Sequence, residues 1–284
     1  METLLLCSDL DRTLIPNGAE PESPQARKVL AHLAAHPKLR LAYVSGRDKR
    51  LVDQAIREYE LPEPDFVIGD VGTTMYRVIG GRWLANSVWQ EEIGQNWRQS
   101  GHDDIVRMLK DLETGDFRLQ PPEKQNQYKV SYFTSLSNGT QPLEDKVAGI
   151  LEGSGIAANV IWSRDDAARC GLLDILPRRA NKLEAIRFLM AEERLDESRV
   201  VFAGDSGNDL DVLTSGLPAI LVNNASESVR RTALERLSQS GRTDRLYPAR
   251  GGWGQMNGNY AAGVIEGVVH FFPETAGWLK SVLS

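Results

Sequence analysis

The stretch Leu4-Leu5-Leu6-Cys7-Ser8-Asp9-Leu10-Asp11-Arg12-Thr13-Leu14 (LLLCSDLDRTL) runs four apolar residues into two carboxylates set a single residue apart. The apolar run reads as a short buried strand, and Asp9 and Asp11 fall at its end, where each costs free energy to desolvate and the two repel. A hard divalent cation would offset that repulsion, leaving one carboxylate to act as a nucleophile and the other to manage a proton. The turn after such a strand also frees backbone N–H groups for an anion, and Thr13 adds a hydroxyl there. Taken alone, an Asp-x-Asp at a strand end is also the pattern of a turn with helix-capping side chains.

Working outward, apolar runs alternate with helical patterns. Ser23–Ala35 carries apolar residues at helical spacing, Leu39–Val44 reads as a strand, Leu51–Tyr59 as a helix and Phe66–Ile68 as a strand. This β-α-β-α-β rhythm predicts a parallel, Rossmann-like sheet with helices on both faces, whose ligands bind beyond the carboxyl ends of the strands. The rhythm returns late, with a helix over Lys182–Glu193, a strand over Arg199–Ala203, a helix after Asn208, a strand over Ala219–Val222 and a helix from Ser226. Between them the pattern loosens: Arg82–Trp89 and Tyr128–Thr134 read as strands, His102–Leu112 and Leu143–Leu151 as amphipathic helices. The fold class expected is therefore α/β, a parallel-sheet core formed by residues 1–80 and 177–284 with an inserted α+β module over 81–176.

Composition narrows the chemistry. The chain has 284 residues, 41% of them hydrophobic, which is enough for a sizeable core. A net charge of −6 without a basic stripe argues against nucleic acid and against a polybasic membrane surface. Two cysteines, Cys7 and Cys170, make no disulfide framework and suit a reducing compartment. No basic leader with an apolar stretch opens the chain, and no apolar run approaches spanning length, so a cytoplasmic location is expected.

Three further stretches carry chemistry. Val44-Ser45-Gly46-Arg47 ends a strand with a hydroxyl and a small residue at a helix start, where N–H groups and the helix dipole favour phosphate. Gly204-Asp205-Ser206-Gly207-Asn208-Asp209 carries a strongly apolar strand into two acids and an amide, a cluster suited to Mg²⁺ with waters retained, or to an acidic cap of the next helix. Lys182 follows Pro177-Arg178-Arg179-Ala180-Asn181 at the start of a helix, where a cation opposes the dipole and a bound anion would compensate it.

In this order the four stretches resemble the motifs of the haloacid dehalogenase superfamily of phosphotransferases, with Asp9-Leu10-Asp11-Arg12-Thr13 as the first, Ser45 the second, Lys182 the third and Asp205–Asp209 the fourth. The resemblance implies that Asp9 attacks phosphorus and that Asp11 protonates the leaving alcohol and later deprotonates water. Thr13, Ser45, Gly46 and Lys182 would hold phosphate oxygens. Asp9, Asp205 and the backbone carbonyl of Asp11 would bind Mg²⁺, with Asn208 and Asp209 supporting them.

Several segments look more specifically like the sucrose-phosphate phosphatase branch: Asp70–Tyr76, Tyr128–Phe133, Leu173–Pro177 and Ala261–Phe271. That likeness implies a cap over 81–176 and a sugar phosphate as substrate, sucrose 6-phosphate before another phosphorylated disaccharide or a glycosylglycerate. The Trp-rich Arg82–Ser100 and the Gly-rich Arg242–Tyr260 segments depart from it. Within the cap, strand alternation sets Lys129 on the face opposite Tyr128, Val130 and Tyr132, available to a sugar. Trp83, Trp89 and Trp97 would offer ring faces or fill the core, and Gln127 and Arg164 would reach hydroxyls. The rival expectation is a noncatalytic module associated with a sugar-phosphate-forming glycosyltransferase. His32 and His36 have a metal-pair spacing but no accompanying third ligand.

Overall fold

The computed structural model describes residues 3–136, 141–165 and 169–283. The chain forms two compact units, one of Met1–Ala85 with Lys182–Ser284 and one of Asn86–Asn181.

The first unit is built on an eight-stranded sheet. Its strands are β1 (Leu4–Ser8), β2 (Leu39–Val44), β3 (Phe66–Gly69), β4 (Thr74–Ile79) and β5 (Arg82–Ala85) from the first half of the chain. The second unit contributes its own β6 (Arg118–Leu119), β7 (Val130–Thr134), β8 (Ala158–Asp165) and β9 (Cys170–Pro177). After it the first sheet resumes with β10 (Val200–Gly204), β11 (Ala219–Leu221) and β12 (Leu246–Pro248). The order is β12-β11-β10-β1-β2-β3-β4-β5, parallel from β12 to β3 and antiparallel from β3 to β5.

β1 and β10 are buried at every residue. That is what a parallel sheet covered on both faces demands, and it is why both read as unbroken apolar runs rather than alternating ones. The Ala26–Ala34 helix buries Ala26, Val29, Leu30 and Leu33, one stripe at helical spacing. Together with the Ala261–Phe271 helix it packs one face of the sheet, where Leu4, Leu6, Tyr43, Val201 and Ile220 belong to the same core. The Lys49–Glu58 helix begins where the Asp48 carboxylate accepts from the N–H of Leu51.

The Gly-rich segment 242–260 is held by polar side chains. The buried Glu266 carboxylate accepts from Tyr247 Oη and from the N–H groups of Arg250 and Gly251, while Asn259 Nδ2 donates to Pro21 O. The segment also runs close under the helix that follows it: a Cβ on Gly263 of the Ala261–Phe271 helix would lie 2.1 Å from the carbonyl oxygen of Gly258.

The second unit carries the antiparallel sheet β6-β7-β9-β8. Its Gln141–Gly153 helix packs on β8. Its bounds differ from the expected 81–176. Residues Arg82–Ala85 pair with β4 and so belong to the first sheet, while Arg178 N–H donates to Ala157 O and Arg179 N–H to Asn96 Oδ1, keeping the chain in the second unit as far as Asn181. The single strand expected over Arg82–Trp89 stops at Ala85, because Asn86 caps a helix over Ser87–Gly94 by accepting from the N–H of Trp89. Among the described residues no helix is long and apolar enough to cross a membrane.

Substituting Gly263 by Ala forces a methyl against backbone that cannot turn aside, a loss of about 1–3 kcal/mol expected for overpacking. Gly149→Ala, in open space within a helix, gains about 0.4–1 kcal/mol. Denaturant midpoints of the two variants should move in opposite directions from wild type.

Candidate active site

Three adjacent strands of the first sheet, β2, β1 and β10, end at Ser45, Asp9 and Asp205. Because parallel strands finish on the same edge, residues far apart in sequence arrive together there, at the point where the strand order reverses. One oxygen from each of Asp9, Asp205 and Asp209 lies within 4.8 Å of the others, and all three residues are buried.

Lys182, first residue of the Lys182–Glu192 helix, stands between two of them, with Nζ 3.1 Å from Asp9 Oδ1 and 2.8 Å from Asp209 Oδ1. Burial works against its charge, but the two carboxylates outweigh that and hold it protonated well above the usual lysine range. The helix-start cation therefore finds its compensation in protein carboxylates.

Asp209 is fully engaged. Its Oδ2 accepts from the N–H groups of Asp205 and Ser206 and from Ser206 Oγ, while Oδ1 accepts from Lys182. It shapes the turn and fixes the lysine. Gly204 must be glycine for this, since a Cβ there would fall 2.6 Å from Asp209 Cγ.

Asp9 and Asp205 are the two acids of the cluster that burial holds closest to neutrality. Burial, opposed by Lys182 and reinforced by Asp209, pushes Asp9 up to about 7. Burial and the charge of Asp209 push Asp205 up to about 6, against the hydrogen bonds it accepts from Arg12 and Thr13. Thr13 Oγ1 donates to Asp205 Oδ1 at 3.2 Å, so its hydroxyl ties the first turn to the fourth.

The Asp11 carboxylate stands apart from this cluster and lies on Arg47. Arg47 Nε donates to Oδ2 at 2.8 Å and Nη2 to Oδ1 at 2.6 Å, with Asn17 Nδ2 adding a bond to Oδ1 at 2.7 Å. Burial raises its pKa, yet the Arg47 bonds and charge more than offset that and hold the carboxyl below the ordinary range. In this arrangement Asp11 is ionised, the form a general base requires.

Ser45 is buried, its Oγ accepting from the N–H of Arg47, and Gly46 is exposed beside it. The turn is braced by Asp70–Gly72, where Asp70 N–H donates to Arg47 O. Asp70, Val71 and Gly72 all have positive φ, at 50°, 59° and 95°. For the β-branched Val71 that backbone is strained, and such strain persists where the surroundings over-determine it.

Asn208 is exposed on the turn that carries Asp205 and Asp209. In the second unit Lys129 is buried just before β7, bridged to Asn126. Trp89 and Trp97 are fully buried in that unit and offer no ring face to a sugar. Trp83 is half-buried on β5, tilted against Tyr76, with Lys49 Nζ 5.7 Å above its ring. His36 stacks on Trp278 at 3.6 Å, and His32 Nε2 lies 3.1 Å from Trp278 O, so the pair packs the chain's end.

Two residues were quoted in the motifs without a role: Arg47, partner of Asp11, and Arg12, whose Nε donates to Asp205 Oδ2 at 3.3 Å. Asn224 was missed altogether; its Nδ2 donates to Arg12 O and its Oδ1 accepts from the N–H of Tyr260. For Arg12 the available signal was a basic residue within an acidic motif, and for Arg47 a basic residue within a hydroxyl-bearing one; none marked Asn224.

Residues 2–272 match the model of the family described as Sucrose-6F-phosphate phosphohydrolase. A protein of Nitrosococcus oceani named a HAD-like hydrolase is 53% identical over 280 residues, 99% of this chain and 75% of that one. The mannosylfructose-phosphate phosphatase of Agrobacterium fabrum is 25% identical over 94% of this chain and 96% of its own length. Among solved structures, the sucrose-phosphatase of Synechocystis, held with sucrose and phosphate, superposes with a TM-score of 0.69 at 25% identity, covering 95% of this chain and 98% of that one. A match over almost the whole length, on a fold that gathers Asp9, Lys182 and Asp205 at one sheet edge, makes the chain a member of the sucrose-6F-phosphate phosphohydrolase family of haloacid dehalogenase-type phosphatases.

Proposed function

We propose that the chain is a Mg²⁺-dependent phosphatase that hydrolyses sucrose 6-phosphate through an aspartyl phosphate on Asp9. The observation that carries this reading is the meeting of Asp9, Asp205 and Asp209 within 4.8 Å, with Lys182 on two of them. The donor set fits the ion: buried carboxylate oxygens are hard ligands, and Mg²⁺ takes one or two of them and keeps waters. Asp9 and Asp205 would hold it together with the backbone carbonyl of Asp11, while Asp209 and Asn208 support the turn. When bound, the ion supplies positive charge to the phosphoryl oxygens and relieves the repulsion between the two acids.

The chain's own groups do the rest. Thr13, Ser45, the N–H of Gly46 and Lys182 orient the phosphoryl group for in-line attack. The Asp9 carboxylate oxygen bonds to phosphorus as the bond to the sugar oxygen breaks. Asp11 gives that oxygen a proton, which requires it to leave Arg47 and enter protonated. Asp11 then takes a proton from the water that attacks the aspartyl phosphate, releasing inorganic phosphate and restoring the Asp9 carboxylate.

The unit Asn86–Asn181, with Lys129, we assign to selection of the sugar, in a cytoplasmic enzyme. Sucrose is supported by the family description and by the Synechocystis enzyme seen with sucrose and phosphate. Phosphorylated mannosylfructose is the second reading, favoured by the likeness to the Agrobacterium enzyme over 96% of its length. Association with a glycosyltransferase would be compatible with either.

Phosphate release from a panel of sugar phosphates should give the highest kcat/KM on sucrose 6-phosphate; preference for a monosaccharide phosphate would sink the substrate assignment. Asp9→Asn should lower kcat by at least about 10³-fold with an unchanged circular dichroism spectrum, since the charge that attacks is gone while the shape is kept.

Metal uptake should depend on pH with a definite sign. Asp205 near 6 and Asp9 near 7 must shed protons to bind a cation, so binding releases protons and tightens as pH rises from about 5.5 to 8. In the metal-free protein both folded-state values lie above the unbound carboxyl value of 3.8, so the native state holds the extra protons. Stability from these groups is full below 3.8 and is lost as pH rises through about 6 to 7. The rise in melting temperature on adding Mg²⁺ to chelator-treated protein should be larger at pH 8 than at pH 5.5. An equal or larger rise at the lower pH contradicts the assignment of these two residues.

A further inference from the structure

We infer that Arg12 is an internal stand-in for the metal ion, pairing with Asp205 when the ion is absent and passing to Glu20 when it binds. This rests on the reading of Asp9 and Asp205 as the cation holders.

Three acids meet at the sheet edge, and Lys182 neutralises only two of them, Asp9 and Asp209. Among the described residues the cation on Asp205 is Arg12, with Nε 3.3 Å from Oδ2. Both oxygens are thus engaged, Oδ2 by Arg12 and Oδ1 by the Thr13 hydroxyl. A divalent ion held by Asp205 would therefore have to compete with a guanidinium for the same carboxylate.

The structure also supplies the place to which Arg12 can move. Its Nη2 already lies 3.6 Å from Glu20 Oε2, and that same oxygen accepts from Tyr260 Oη at 3.2 Å. Tyr260 is itself fully buried. The backbone beneath is pinned as well: Arg12 N–H donates to Asn17 Oδ1, and Arg12 O accepts from Asn224 Nδ2 at 2.6 Å. The main chain at Arg12, held at φ 57°, thus has partners independent of where the guanidinium points. The side chain is 41% exposed, so it can turn without repacking the core, and the bond that its Nη2 donates to Asn224 O at 3.1 Å lies on the Glu20 side and need not break when Nε leaves Asp205.

Arg12 and Glu20 should therefore change metal affinity in opposite directions. Arg12→Gln removes the competitor, and Glu20→Gln removes the acceptor that draws the competitor away. A half-exposed ion pair is worth up to about a fivefold change in an equilibrium constant. The test is calorimetric titration of chelator-treated protein with Mg²⁺ alone, without substrate. The dissociation constant should fall about threefold to fivefold in Arg12→Gln and rise by about the same factor in Glu20→Gln. In the double variant it should match Arg12→Gln, because Glu20 acts only through Arg12.

Arg12→Gln binding Mg²⁺ no more tightly than wild type would overturn the inference. So would a Glu20→Gln effect that persists undiminished in the double variant, since that marks a general effect of local charge. Should Arg12→Gln fail to fold, the proposal still stands or falls on Glu20→Gln alone, where unchanged or tighter binding is the adverse result. Absence of Mg²⁺ binding by the wild type would overturn the metal reading and this inference together; binding by the wild type with the wrong variant pattern overturns this inference only.

Discussion

Everything at the carboxyl edge of the first sheet depends on burying one lysine between two aspartates. Lys182 could not be carried into that position alone, since an unpaired ammonium away from water is too costly to keep charged. Nor could Asp9 and Asp209 be set side by side without it. The triad is mutually obligatory, and each member is delivered by a different element: the end of β1, the start of the Lys182–Glu192 helix and the turn after β10. Asp209 gives up both of its oxygens to this arrangement, and Asp9 is held by the lysine through Oδ1.

The surrounding structure reads as support for that edge. Gly204 has no side chain because Asp209 fills the space. The left-handed turn Asp70–Gly72 braces the hydroxyl-bearing turn at Ser45, and Glu266 and Asn259 lash the Gly-rich segment against the sheet. Beside the triad two partly exposed arginines pair with the remaining acids, Arg47 with Asp11 and Arg12 with Asp205. Each balances an acid that the chemistry would need in another state, and neither is buried deeply enough to be immovable.

The parallel core was legible because it is built from local signals. Apolar runs become β1, β2 and β10, and the acids and the hydroxyl that follow them meet at one edge of the sheet. What escaped was long-range. The pairing of Arg12 with Asp205 spans 193 residues and that of Arg47 with Asp11 spans 36, and no local pattern specifies either. The Trp-rich stretch misled for another reason: Arg82–Ala85 and Ser87–Gly94 share an apolar, aromatic composition, and only the capping side chain of Asn86 separates strand from helix. Trp89 and Trp97 are both fully buried, Trp97 edge-on to Tyr128.

The position of β1, with β2 on one side and β10 on the other, has a consequence for synthesis of the chain. During synthesis β1 can pair with β2, and β2 with β3, early, but the other edge of β1, an apolar strand of leucines, stays unpaired until β10 has been made. For that interval Asp9 has neither Lys182 nor the acids of the later turn beside it. The nascent protein thus passes through a stage in which this apolar edge is open and Asp9 lacks its partners, and the segment from Lys182 to Asp209 supplies both the missing strand and the missing charges.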